Sequence, residues 1–141
     1  MRFICLGYAD EKTWEAMSLE AQSAMMEEGL AFVDEVFFEG GRLVSAGEAL
    51  QSARTAKTLR WKNGKMMVTD GPFAEAKEQL GGFLGFEASD MNHAIELVSK
   101  NPCIRFAAFE IRPADEQINC LVAERRQRLE EKTKRQSRSK A

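Results

Sequence analysis

The residue types best suited to chemistry gather in one stretch, Asp70-Gly71-Pro72-Phe73-Ala74-Glu75-Ala76-Lys77-Glu78-Gln79-Leu80-Gly81-Gly82-Phe83. Asp70 is the leading candidate for a catalytic group. A carboxylate at a pocket mouth, with its pKa set by burial, serves as a general acid or base. Ahead of Gly71 and Pro72 the same residue also suits a turn, its side chain accepting from backbone N–H groups just beyond it. The two roles are compatible. Glu75, Lys77 and Glu78 follow on what reads as a short helix. There they either position a polar substrate or form solvated pairs worth about 0.3 kcal/mol each. Tyr8, Glu48, Arg60 and Arg112 are further polar candidates for a pocket, and Trp61, Phe73 and Phe83 are apolar ones.

Other chemistries find little purchase. His93 is the only histidine, and it falls in the first turn of a helix, where a surface or half-buried role is ordinary. The cysteines are Cys5, Cys103 and Cys120, with no CxxC spacing. One histidine and scattered thiols do not build a zinc site. There is no GxxxxGK[ST] phosphate loop, no nucleophile elbow and no Cys–His arrangement. No cofactor is expected.

The stretch must be positioned by what precedes and follows it. Pro72 suits the first position of a helical turn. Ala74 to Leu80 are good helix formers. Gly81-Gly82 then reads as the stop of that turn, with Phe73 and Phe83 pinning the two ends to the core. Upstream, residues 2–8 read as a strand, with Phe3 and Cys5 on one face and Ile4, Leu6 and Tyr8 on the other. Apolar residues on both faces mean cover on both sides: helices on one, and a second sheet, a partner subunit or a cavity on the other. Residues 9–17 form a connector whose Trp14 and Met17 make an apolar flap. Ser18 caps a helix running to about Glu39, with a stripe of Met26, Leu30, Val33 and Phe37 widened by Met25, Phe32 and Val36. Arg42–Ala49 is a strand, and residues 50–54 a loop.

Asn63-Gly64 between Thr58–Lys62 and Lys65–Thr69 is a type I′ hairpin signal. A two-residue loop pairs Trp61 with Met66 and Leu59 with Val68, giving one apolar face. Beyond the signature, Gly82–Ala88 is a strand. Ser89 or Asp90 caps a second helix to about Lys100, with Ala94, Leu97 and Val98 inward. Ile104–Arg112 is the last strand. The order β-α-β-(hairpin)-β-α-β is α+β and ferredoxin-like, with an inserted β-hairpin. Residues 1–113 form the domain. Residues 114–141 are a charged extension, helical from about Asp115 to Lys132 and disordered at its Lys/Arg/Ser-rich end.

The motif from Asp70 to Phe83 resembles the signature of the DGPF branch of the YCII-related family. Ala76 departs from it, since relatives usually carry Thr there. The resemblance extends over about residues 2–113, through Phe3-Ile4-Cys5-Leu6-Gly7-Tyr8, Gly47-Glu48, Val68-Thr69, Asn101-Pro102-Cys103 and Glu110-Ile111-Arg112-Pro113. It implies two subunits pairing their sheets into a dimeric α+β barrel, a homodimer. It also brings in a His–Asp pair proposed for some wider family members, with the His on the first helix. Here the corresponding Gly29-Leu30-Ala31 has none, so that pair is not carried over.

The 141 residues suffice for one domain with a real core. No 18-residue apolar run predicts a membrane span. The short apolar opening, interrupted by Gly7 and followed by Asp10 and Glu11, does not read as a signal peptide. With an odd cysteine count, a reducing cytoplasm is expected. The net charge of −2 hides an asymmetry: residues 125–141 hold eight Lys/Arg against two Asp/Glu, the rest 12 against 20. So acidic a body is a poor nucleic-acid surface.

Three functions are expected from these features. The first is a dimeric module binding a small organic ligand near Asp70, its pocket lined from Tyr8, Trp14, Trp61, Phe83 and Phe86. The second, brought in by the resemblance, is an acid/base enzyme of lyase, isomerase or dehalogenase type acting on a small carboxylate or lactone. The third is a protein-interaction partner in a sigma-factor regulatory system, which the resemblance implies through neighbouring genes.

Overall fold

The computed structural model describes residues 1–139. A four-stranded antiparallel sheet has the order β2-β5-β1-β6, built from β1 (Arg2–Ala9), β2 (Leu43–Ala49), β5 (Gln79–Glu87) and β6 (Ala107–Pro113). The helices α2 (Leu19–Val33) and α3 (Met91–Ser99) cross over between strands. This is the ferredoxin-like plan. β3 (Lys57–Lys62) and β4 (Lys65–Asp70) form the inserted hairpin as a separate sheet. Trp61 pairs with Met66 and Leu59 with Val68, around Asn63 and Gly64 at positive φ.

One end of the helix-facing side is filled by aromatic residues. Phe3 and Phe86 are fully buried and stack at 5.9 Å; Phe37 tilts against Phe86 at 4.9 Å and meets Phe32 edge-on at 5.8 Å. Each such side chain contributes about 1.5–3 kcal/mol of burial. Ala94, Leu97 and Val98 on α3 complete the core. Ser18 caps α2 by accepting from the Ala21 amide, and Asp90 caps α3 by accepting from that of His93.

Several local expectations change. The first long helix is α-helical only to Val33; Asp34–Glu39 is a π-helical segment, closed by the Arg42 amide donating to the Phe37 carbonyl at 2.8 Å. Its i→i+5 bonding brings residues five apart toward one side, so Phe32 and Phe37 both reach the core. Met26 and Leu30 instead remain exposed at the edge of a cleft. The connector after β1 contains a short helix, α1 (Glu11–Glu15), and the loop after β2 a 3₁₀ turn at Ala53–Thr55. The last strand starts at Ala107, after a 3₁₀ turn over Pro102–Arg105.

The signature contains no helix. Residues 71–78 are bends and irregular backbone, and Gln79–Gly82 belong to β5. A turn or two of helix without packing is poorly nucleated, whereas pairing of Tyr8 with Leu80 and Ala9 with Gln79 extends the sheet. Gly81 and Gly82 therefore do not stop a helix. Phe73 is 79% exposed and Phe83 only half-buried, so neither pins the segment to the core. Finally, α4 (Glu116–Ser139) continues past Lys132, its Arg, Lys, Glu and Gln content favouring helix. The end expected to be disordered is thus helical as far as Ser139; Lys140 and Ala141 lie outside the described residues.

Candidate functional site

The cleft follows from a taper in side-chain size. Facing the helices, β1 runs Phe3, Cys5, Gly7. Paired with these, β5 runs Phe86, Leu84, Gly82, and from the Cys5 partner onward β6 runs Ile111, Phe109, Ala107. At the large end the layer is filled by the aromatic core. At the small end the same helix-to-sheet spacing leaves a cavity of about 390 Å³. Met25, Met26, Leu30 and Val33 of α2 form one wall and Trp14 and Met17 another; Ala46 and Ala49 of β2, with Phe106 and Phe109, complete it.

The wall bearing Trp14 is tied down. Glu11 accepts from the Ser52 hydroxyl at 2.7 Å and from the Ala53 amide at 2.6 Å, while Arg54 pairs with Glu15. The Ala53 amide, then the Ser52 hydroxyl, lower the Glu11 pKa. Gln22 of α2 donates to the Trp14 carbonyl at 2.8 Å. β2 is held close to β5 at a bulge where Gly47 has φ +67°; a Cβ there would lie 1.6 Å from the Phe83 carbonyl oxygen.

Two thiols line the cleft, and both are held in the protonated form. Burial pushes Cys5 up to about 11, and burial, with the negative charge of Glu28 second, raises Cys103. A protonated thiol is a poor nucleophile, so the cleft is equipped for apolar contact. Among the described residues, no group of three or more His, Cys, Asp or Glu side chains is placed to hold a metal ion, and no helix is long and apolar enough to cross a membrane.

The residues anticipated from sequence are only partly brought together. Tyr8, Glu48 and Phe83 border the cleft, as does Trp14, although the register of Phe83 with Leu6 and Glu48 sends the side chains of the first three to the sheet face away from the helices. Tyr8 also borders two other hollows, one shared with Lys77 and Glu110, the other with Phe73. Asp70, Arg60 and Trp61 line none of these. Asp70 ends β4 with its side chain 85% exposed and paired to Lys57. Arg60 donates to the Phe73 carbonyl at 2.7 Å and lies over its ring at 5.1 Å. Trp61 stands on the exposed hairpin face, Arg112 pairs with Glu110, and Phe86 belongs to the core. Missing from the anticipated set were Met25, Phe106 and Phe109. The signal that would have found the cleft is the taper itself, visible as Phe3-x-Cys5-x-Gly7 and, in reverse, Gly82-x-Leu84-x-Phe86.

An antiparallel α+β domain with an apolar cleft between helices and sheet is the class this geometry defines. The chain belongs to the YCII-related domain family, whose pattern matches residues 1–116. An uncharacterized protein of Rhizobium meliloti (strain 1021) is 33% identical over 117 residues, covering 80% of this chain and 91% of that protein. Among solved structures the chain is similar to a 5-chloro-2-hydroxyhydroquinone dehydrochlorinase from Burkholderia phenoliruptrix AC1100 in complex with 2,5-dihydroxybenzoquinone. That likeness has 17% identity and a TM-score of 0.48, covering 82% of this chain and 94% of that one.

Proposed function

We propose that this protein is a dimeric small-molecule-binding module whose ligand occupies the cleft between α2 and the sheet, and not a site at Asp70. One observation carries the reading: a cavity of about 390 Å³ that the residues of three adjacent strands leave open. Its size falls within the range of ligand sites, about 300–1,000 Å³, and its apolar lining with few polar groups is what such sites present. Support for a homodimer comes from the sheet face away from the helices. Leu6 and Phe83 are cross-strand partners there and only partly buried in the single chain. A second sheet packed on that face would bury them.

The test is a thermal-shift screen of small ring compounds, lactones and carboxylates against the parent and Ala107→Phe. Ala107 lies at the small end of the taper, and a phenyl group there fills space rather than removing a contact. Ligands that raise the melting temperature of the parent should lose that effect in the filled variant, whose own melting temperature stays the same or rises. An undiminished response would place binding elsewhere and refute the reading. Sedimentation equilibrium checks the dimer; a monomer across the micromolar range refutes that part alone.

A further inference from the structure

We infer that the apolar face of the β3–β4 hairpin is an interface for a second copy of this chain, packed on the same face of that copy's hairpin. The inference needs neither the cleft nor its ligand, and it names a contact other than the sheet-face dimer.

In the hairpin register Leu59 pairs with Val68, Trp61 with Met66 and Lys57 with Asp70, so these six side chains share one face. Thr58, Arg60, Lys62, Lys65, Met67 and Thr69 share the other. The second face is held at its base by the signature: the Thr58 hydroxyl donates to the Gly71 carbonyl at 2.8 Å, and Arg60 donates to that of Phe73. The first is uncovered in the single chain. Trp61 is 76% exposed, and Leu59, Met66 and Val68 are each more than half exposed. A two-stranded hairpin is marginal on its own in water and gains stability when its apolar face is covered. Four large apolar side chains at adjoining positions form a patch, unlike the scattered single residues that a surface ordinarily carries.

Charge selects the occupant. On the uncovered face Lys57 and Asp70 pair, which leaves it neutral, whereas the other face carries Arg60, Lys62 and Lys65 and no carboxylate. Two neutral apolar faces meet without like-charge repulsion, and the basic faces then point away from each other. Other occupants fit less well. The stripe Ile118, Leu121 and Val122 of α4 is also exposed, but it leads into residues 125–141, with eight Lys/Arg against two Asp/Glu. Residues 49–69, which include the hairpin, hold five Lys/Arg and no Asp/Glu, so that helix would set like charges together. A polyanion would take the basic face and leave Trp61 bare. Packing about a two-fold axis sets each patch against its own copy. It removes about 500 Å² of mostly apolar surface per copy, or about 1,000 Å² in all, the lower end for a specific contact.

Cross-linking of the full chain tests the contact. Cys120→Ser removes the exposed thiol. Met66→Cys or Met67→Cys then places one on the uncovered or on the basic face, at neighbouring positions of one strand that point opposite ways. The reagent is a bis-maleimide spanning about 10 Å, the separation of packed sheets. Thiols held in a complex meet at an effective concentration far above the bulk one, so Met66→Cys should give linked dimer about tenfold faster than Met67→Cys or Cys120→Ser alone. Adding Trp61→Lys, a charge at an exposed position, should abolish the difference. Equal rates from the two faces, or a Met66→Cys rate unchanged by Trp61→Lys, would overturn the inference. Sedimentation equilibrium of the Trp61→Lys chain keeps the two interfaces apart. A dimer that survives there belongs to the sheet face, a monomer assigns the dimer to the hairpins, and the rate comparison decides the hairpin contact in either case.

Discussion

Replacing Gly47 with Ala tests whether the wall of the cleft formed by β2 is held as described. The new Cβ would lie 1.6 Å from the Phe83 carbonyl oxygen, 2.5 Å from its carbonyl carbon and 2.9 Å from the Leu84 Cα. All three are backbone atoms, so no flexible side chain can move aside. Reaching even the tightest ordinary separation of 3.0 Å requires β2 to retreat from β5 by about 1.4 Å. That displacement breaks the pairing of Glu48 with Phe83 and Ala49 with Gly82, and the bond from the Leu50 amide to the Gly81 carbonyl. Two or three backbone bonds at about 1 kcal/mol each, added to about 1–2 kcal/mol for a side chain at positive φ, give a loss of about 3–5 kcal/mol. Urea unfolding followed by far-ultraviolet circular dichroism should show the midpoint falling by about 2 M, for a slope of about 2 kcal/mol/M. Gly41→Ala separates the two contributions: φ there is +65°, yet nothing lies within 4 Å of the added Cβ. It should cost about 1–2 kcal/mol, the conformational part alone. Equal losses for the two variants would mean that the bulge relaxes freely, and the geometric reasoning would be refuted.

Two further outcomes are expected. Asp70→Asn should change stability by less than about 0.5 kcal/mol, because the ion pair with Lys57 is solvated on both sides; unfolding of the variant in the same urea assay would restore a structural role for this residue. The clasp of Glu11 on Ser52 and Ala53 should weaken with acid. Its folded pKa lies below the ordinary 4.5, so its contribution is complete above that value and is lost as pH falls through the lowered one. Trp14 fluorescence in a Trp61→Phe chain, where Trp14 is the only tryptophan, should follow that transition, which should be absent in Glu11→Gln; identical acid titrations of the two would disprove the clasp.

The elements that sequence revealed are those with a local cause. Asn63-Gly64 sets the hairpin register by backbone angles alone, Ser18 and Asp90 cap their helices through bonds spanning three residues, and Ala94, Leu97 and Val98 follow one helical face. The signature failed for the opposite reason. Ala74–Leu80 has helical propensity, but the fate of Gln79–Gly82 is decided by distant partners, Tyr8 and Ala9 on one side and Ala49 on the other. Gly82 is small because a Cβ there would come within 2.9 Å of the Glu48 carbonyl oxygen, not because a helix ends. The cleft was only partly legible for the same reason. Asp70 drew attention as a carboxylate in a distinctive motif, whereas the cleft is made by what is missing from Gly7, Gly82 and Ala107. An absence of side chain registers only once three strands are known to lie side by side.

The π segment at Asp34–Glu39 carries a lesson about chain length. A helix of this kind holds one residue more than regular winding can place, and both of its ends depend on that surplus. Deleting a single residue between Asp34 and Val36 would return the segment to ordinary winding, in which residues four apart share a face. Phe32 and the phenylalanine now at 37 would then stand four apart instead of five, and both would still reach the core beside Phe86. A second deletion has no such surplus to absorb it: it would swing everything beyond by about 100° relative to α2 and turn that ring away from Phe86. A chain shorter by one residue in this segment should therefore keep its cooperative urea transition, and a chain shorter by two should lose much of its stability.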